Sequence, residues 1–244
     1  MANSEWQTAN GNLILPSLSP HDYVALIRRR FSEAGDPVRA EGQMRYMRNK
    51  YAYYGLKAPE WVAILKEVFA QYGMYEGKDL QTFAKQCFNA EYHEMFYTGL
   101  QMIEKQIKTQ RKDFIDFLEK AIITGGWWDT VDWISKLVGI HFKRFPELQY
   151  TYAHKWISSD NIWLQRVAII HQLLYKEKTD QKLLFEMILR RKESKEFFVQ
   201  KGAGWALRQY SKTNARAVKN FIAKHPELQP LTRREGMKWV MKKG

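Results

Sequence analysis

Two stretches of the chain thirty-five residues apart share a weak, degenerate pattern. Residues 163–175 (WLQRVAIIHQLLY) lie over 198–210 (FVQKGAGWALRQY), with Gln165 facing Gln200, Arg166 facing Lys201, Ala168 facing Ala203 and Tyr175 facing Tyr210. One further period towards the N-terminus sets Trp128 opposite Trp163. Thirty-five residues is the length of two helices and their turns. A unit that small cannot bury its apolar face alone and must stack on its neighbours. The period therefore predicts an all-α solenoid of helical hairpins whose concave face can follow a long partner.

Local signals agree. Residues 58–72 put Trp61, Ile64, Leu65, Val68 and Phe69 on one helical face. The ranges 91–107, 112–123, 160–175, 180–191, 194–211 and 213–224 are patterned in the same way, and earlier helices are predicted over 19–34 and 38–50. Ser19-Pro20, Asp36-Pro37 and Pro59 mark helix starts, and Gly35, Gly55, Gly73 and Gly125-Gly126 mark stops. No run of alternating β-branched residues points to a sheet. Residues 1–16 read as a loosely attached leader, and 17–244 as one domain.

Composition narrows the partner. The single cysteine, Cys87, rules out an internal disulfide, and no apolar run reaches membrane-spanning length. With no basic segment followed by an apolar one at the N-terminus, the expected location is a reducing cytoplasm. The net charge is +13, and it is lopsided: residues 1–122 carry 16 basic and 15 acidic groups, residues 123–244 carry 23 and 11. An excess confined to one half points to a polyanion, nucleic acid before an anionic membrane.

Common enzyme signatures are missing. There is no GxxxxGK[ST], HExxH or GxSxG, and Gly202-Ala203-Gly204 sits inside a helical pattern where a dinucleotide loop would need a strand before it. The six histidines show no metal-ligand spacing, so neither metal nor cofactor is expected.

Four constellations remain. Trp127-Trp128-Asp129-Thr130-Val131-Asp132 follows the glycine pair, and Trp128 and Asp132 share one helix face. Asp129 suits macrodipole stabilisation in a first turn, whereas Asp132 lies too deep for that and is a candidate catalytic carboxylate. In Ser159–Arg166 (SDNIWLQR), Ser159 or Asp160 can cap the helix, and Arg166 falls one turn on, where an inter-repeat salt bridge is its ordinary fate. Lys201, Trp205, Arg208 and Lys212 form a stripe of cations around an aromatic ring, suited to phosphate contacts beside a sugar or base; the alternative is a core Trp205 with snorkelling cations. Gln43, Tyr46 and Lys50 line one face of an early helix.

Met44-Arg45-Tyr46-Met47, Trp127–Asp132, SDNIWLQR and Ser194–Tyr210 (SKEFFVQKGAGWALRQY) together resemble the AlkD family of DNA alkylation-repair glycosylases, from about residue 19 to 240. The resemblance implies HEAT-like repeats with a basic concave groove and excision of cationic alkylpurines, such as 3-methyladenine and 7-methylguanine, from double-stranded DNA without base flipping. It implies that Asp132 is the catalytic aspartate, that Trp128 and Trp205 flank the lesion sugar, and that Arg166 and Tyr46 are groove contacts, Arg166 as a phosphate clamp. Lys201, Arg208, Lys212, Gln43 and Lys50 are the further DNA-binding candidates. The pattern departs from the family at Ala58, where a small polar residue is expected, and at Trp61 and Val62, where the family can carry arginines. A monomer acting by simple hydrolysis is expected. The competing readings are a non-catalytic solenoid that binds distorted DNA, which would not need Asp132, and a scaffold for proteins, in which a charge of +12 in one half would be unusual.

Overall fold

The computed structural model describes residues 18–243, so the leader expected over 1–16 lies outside the described residues. Those residues form fourteen α-helices and a single 3-10 turn; their only strand-like feature is an isolated bridge between Ala52 and Tyr92. The helices gather into two compact units that divide after Gln106.

The first unit holds α1 (Pro20–Ala34), α2 (Pro37–Tyr46), α3 (Ala58–Tyr72), α4 (Gly77–Phe88) and α5 (His93–Gln106). Its starts are local chemistry. Ser19 and Asp36 cap α1 and α2 with their side chains, each followed by proline at the first helical position. The core is aromatic: Tyr23 is fully buried, with its ring 5.4 Å from those of Tyr75 and Phe83, and its hydroxyl donates to the Gly73 carbonyl at 2.7 Å. Buried Glu94 accepts from the backbone N–H groups of Tyr54, Gly55 and Leu56 and so fixes the loop ahead of α3.

Here the early helical face expected over Gln43, Tyr46 and Lys50 is corrected. Helix α2 ends at Tyr46, and Arg48 and Asn49 then adopt positive φ, so Lys50 falls beyond the helix in a turn. Gln43 is committed to structure, donating Nε2 to the Leu56 carbonyl at 2.9 Å. Tyr46 is 72% exposed at the helix end.

The second unit repeats. Its first-position helices are α6 (Phe114–Gly125), α8 (Pro146–Ile157), α10 (Gln181–Arg190) and α12 (Ala215–Lys224); its second-position helices are α7 (Trp128–Arg144), α9 (Ile162–Ile170), α11 (Phe197–Ser211) and α13 (Pro230–Met237), before a short α14 (Val240–Lys243). Helices α7, α9, α11 and α13 pack one on the next. Hydrogen bonds between successive pairs join residues about one period apart, as in Tyr175 to Gly139, Lys155 to Glu119 and His154 to Glu186. Gln165 and Gln200, aligned from sequence, make the same bond: each donates Nε2 to a carbonyl six residues back, Ser159 and Ser194. The repeat is thus physical. Each stacking face is sealed by apolar residues such as Val131, Ile134, Leu137 and Val138 of α7 and Val167 to Ile170 of α9, each buried side chain stabilising by about 1.5–3 kcal/mol.

Two local readings change. Asn161 caps α9, accepting from the N–H groups of Trp163 and Leu164, while Ser159 accepts from Asn161; Asp160 is not the cap. Helix α9 ends at Ile170, short of the expected 175, and His171 to Leu174 turn away from it.

Candidate active site

The carboxylate singled out in sequence meets a partner one repeat later. Asp132 lies in the second turn of α7, with Trp128 one turn before it on the same face, half-buried like Asp132 itself. Trp127 opens the helix by donating its N–H to Thr130 Oγ1, which leaves Asp129 in the first turn, at the positive end of the helix dipole. From α9, Arg166 approaches as a fork: Nε is 2.7 Å from Asp132 Oδ1 and Nη2 is 2.9 Å from Oδ2. Its remaining nitrogen, Nη1, donates to the Phe198 carbonyl at the start of α11. One buried guanidinium therefore ties three successive repeats together. The fork–fork pair is the strongest common form of charged hydrogen bonding.

This geometry corrects the phosphate clamp. The Arg166 side chain is only 5% exposed and all three of its guanidinium nitrogens donate inside the protein, whereas Asp132 remains 18% exposed. Arg166 orients the carboxylate and does not reach outward. Burial pushes the Asp132 carboxyl above its ordinary value, and Arg166 pulls it back down. Burial is the larger effect, so the net direction is up, while the bidentate guanidinium favours the ionised form. Gly202 of α11 leaves room for the guanidinium, since a Cβ there would stand 3.0 Å from Arg166 Nη1.

Asp132 opens on a recess of about 250 Å³. Its walls include Lys136 and Ile140 of α7, Ile170 of α9, Tyr175 and, from α11, Trp205. The structure thus brings Asp132 and Trp205 to one cavity, with Trp128 one helical turn away. Lys143 also lines the recess, its ammonium 4.5 Å from the centre of the Tyr175 ring. His171 also lines the recess. Burial lowers its pKa to about 4, so it stays neutral and donates Nδ1–H to the Ala168 carbonyl.

The cationic stripe on α11 is organised by a residue that sequence reasoning missed. Lys201 and Arg208 stand one turn either side of Trp205, and both bind the carboxylate of Glu235 on α13, at 2.8 and 2.9 Å. Lys238 binds the same group at 2.5 Å. Burial alone would raise the Glu235 carboxyl, yet the hydrogen bonds from Lys201 and Lys238 hold it down at about 2. Lys212 is corrected: it falls just past the end of α11, bonded to Gln209 and 5.6 Å above the Trp239 ring. Glu235 was legible in principle. Asp132, Arg166, Lys201 and Glu235 occupy equivalent places on four successive helices, 34 residues separating each bonded pair. At the helix starts, Trp163 meets the Trp127 ring edge-on at 5.7 Å and the Phe198 ring at 5.0 Å, so aromatic rings of three successive repeats pack together.

Among the described residues no helix is long and apolar enough to cross a membrane, and no group of three or more His, Cys, Asp or Glu is placed to hold a metal ion.

Comparison with solved structures finds a protein of Enterococcus faecalis described as a predicted DNA alkylation repair enzyme, with a TM-score of 0.77 and 29% identity over 85% of this chain and 97% of that one. The smu.31 protein of Streptococcus mutans UA159 shares the fold, with a TM-score of 0.59 and 16% identity over 91% and 99% of the two chains. No curated protein matches. The family model of DNA alkylation repair enzymes matches residues 27–240, nearly everything described above, and the chain belongs to that family.

Proposed function

We propose that this repair enzyme is a DNA glycosylase that hydrolyses the N-glycosidic bond of N3- or N7-alkylated purines in duplex DNA and leaves an abasic site. One observation carries the reading: a carboxylate oriented from behind by a buried arginine opens on the same recess as a tryptophan. Alkylation at N3 or N7 makes the purine cationic, so it leaves without a general acid. As the bond to C1′ stretches, positive charge moves onto the sugar. An ionised Asp132 stabilises that charge and positions the attacking water. Arg166 occupies one lone-pair site on each oxygen and leaves the others for sugar or water. One carboxylate suffices, where sugar hydrolases need two. Trp205, with Trp128, offers ring faces whose quadrupole favours the developing cation.

Because the carboxylate addresses the sugar and the lesion is already a leaving group, the base need not be flipped into a pocket. Lys201 of α11 is tied to Glu235, which counts against it as the nucleophile of a covalent adduct. Tyr46, exposed in the first unit, is proposed as a separate DNA contact.

The pair itself favours a second reading, in which Asp132 and Arg166 merely join α7 to α9 and the chain binds damaged DNA without cutting. Release of 7-methylguanine from a methylated duplex separates the two. The wild type is expected to release the free base and Asp132→Asn to release almost none, with borohydride trapping no protein–DNA adduct. A wild type that releases nothing leaves only the binding reading.

A further inference from the structure

We infer that Glu235 builds a seat for one DNA backbone phosphate beside Trp205, by gathering the charged ends of Lys201, Arg208 and Lys238 on a single buried carboxylate. The inference rests on the proposed reading that this unit meets a DNA duplex, and it adds a site and a residue to that reading.

The geometry is specific. The Glu235 side chain is 2% exposed, while Lys201, Arg208 and Lys238 are 40%, 31% and 49% exposed. The acid is sealed beneath and the three cations face outward. Each cation spends part of its donor capacity on Glu235. A lysine ammonium has three N–H groups and a guanidinium five, so donors remain to converge on a ligand above. Three positive charges over one negative leave a net of +2, matched to an anion and unmatched by anything the structure pairs with the cluster.

The backbone is shaped for this arrangement. Glu235 reaches under α11 only because residue 204 is glycine: a Cβ there would lie 2.4 Å from Glu235 Cβ and 2.9 Å from the Thr232 carbonyl oxygen. A salt bridge needed only to fasten α13 could sit at the rim and would require one cation. Here the carboxylate is drawn beneath the face that carries Trp205, and two cations from α11 and one from the end of α13 close over it. A phosphodiester oxygen suits the site because it is anionic, accepts several charge-assisted hydrogen bonds, and belongs to a phosphate bonded directly to any deoxyribose packed on Trp205.

The test uses the full chain and an unmodified duplex, with affinity measured across a salt titration. Lys238→Gln, the most exposed member, is expected to weaken binding about tenfold and to reduce the log–log salt slope by about 0.9, the value of one phosphate contact. Glu235→Gln gives a test of sign. It adds one unit of positive charge, so bulk attraction alone predicts tighter binding, whereas loss of the seat predicts weaker binding by about threefold or more. Thermal melts of both variants fix a temperature at which each is folded. Wild-type affinity and slope in Lys238→Gln, or tighter binding by Glu235→Gln, would overturn the seat. Release of 7-methylguanine by the wild type is scored separately, so loss of the seat and loss of the glycosylase reading are told apart.

Discussion

The second unit contains two ionic clusters at equivalent steps of one ladder, and they are built inside out relative to each other. In the Asp132–Arg166 pair the base is buried and the acid is the more exposed member. In the cluster at Glu235 the acid is buried and the bases are exposed. In both, the buried partner spends its hydrogen bonds inside the repeats and holds the other in place. The outward member is then what a ligand meets: a carboxylate at the first, suited to a sugar that becomes cationic, and ammonium and guanidinium groups at the second, suited to phosphate. The same repeat position thus turns opposite charges outward at its two steps, and the net charge of +13 understates how finely it is sorted.

If the buried member holds the fold, removing it should cost most. Arg166→Met keeps an apolar stem but strands the Asp132 carboxylate and the Phe198 carbonyl. A loss of about 3–5 kcal/mol in denaturant unfolding is expected. A loss under about 1 kcal/mol would mean the pair is an ordinary surface contact.

The clusters should also separate by pH. His171, beside the first, has a folded pKa of about 4 against an ordinary 6.5. Between those values the unfolded chain binds more protons, so stability is whole above pH 6.5 and falls as the pH drops towards 4. Glu235, in the second, is depressed from 4.5 to about 2, so its contribution is present above pH 4.5 and disappears below that. Unfolding measured from pH 8 to 2 should show two successive losses. Glu235→Gln should shrink the lower loss, to which Asp36, Glu60, Glu147, Glu186 and Glu227 also contribute through lowered carboxyl pKa values, and keep the upper; an acid loss unchanged by Glu235→Gln would break the distinction.

Gly204→Ala sharpens the second cluster. The added methyl meets Glu235 and the Thr232 carbonyl, and a cost of about 1–3 kcal/mol is expected from overpacking, read as a fall in melting temperature. An unchanged melt would mean that α13 moves away freely. The smallest effect belongs to the ring between the clusters. Trp205→Ala should slow excision about tenfold, the worth of about 1–2 kcal/mol of cation stabilisation, in a single-turnover assay.

Much of this was legible in the sequence because helical repeats are written in local signals. Ser19-Pro20, Asp36-Pro37 and Gly125-Gly126 mark helix ends where expected, and the Gln165/Gln200 alignment names a bond made twice. The overshoot at 160–175 arises where the chain turns although its apolar pattern continues through Leu173, Leu174 and Tyr175, and that at 38–50 where Arg48 and Asn49 adopt positive φ. Helix α8, with only Ala153, Trp156 and Ile157 buried, carries too thin a stripe to stand out. In the site, Asp132 was legible from its depth in the helix. An inter-repeat salt bridge was legible for Arg166, but its partner, and the part played by Glu235, depend on register between repeats. A 34-residue step sets Arg166 against Asp132 and Glu235 against Lys201, and an alignment ending at Tyr210 stops one repeat short of the second pair.

The most direct test of the outward carboxylate is the single-turnover release of 7-methylguanine at saturating enzyme by the wild type and Asp132→Asn, with affinity for the same duplex measured alongside. The expected result is a rate loss of about a hundredfold or more with affinity changed by no more than a few fold, the mark of an interaction made in the transition state. A variant that excises at the wild-type rate would contradict it.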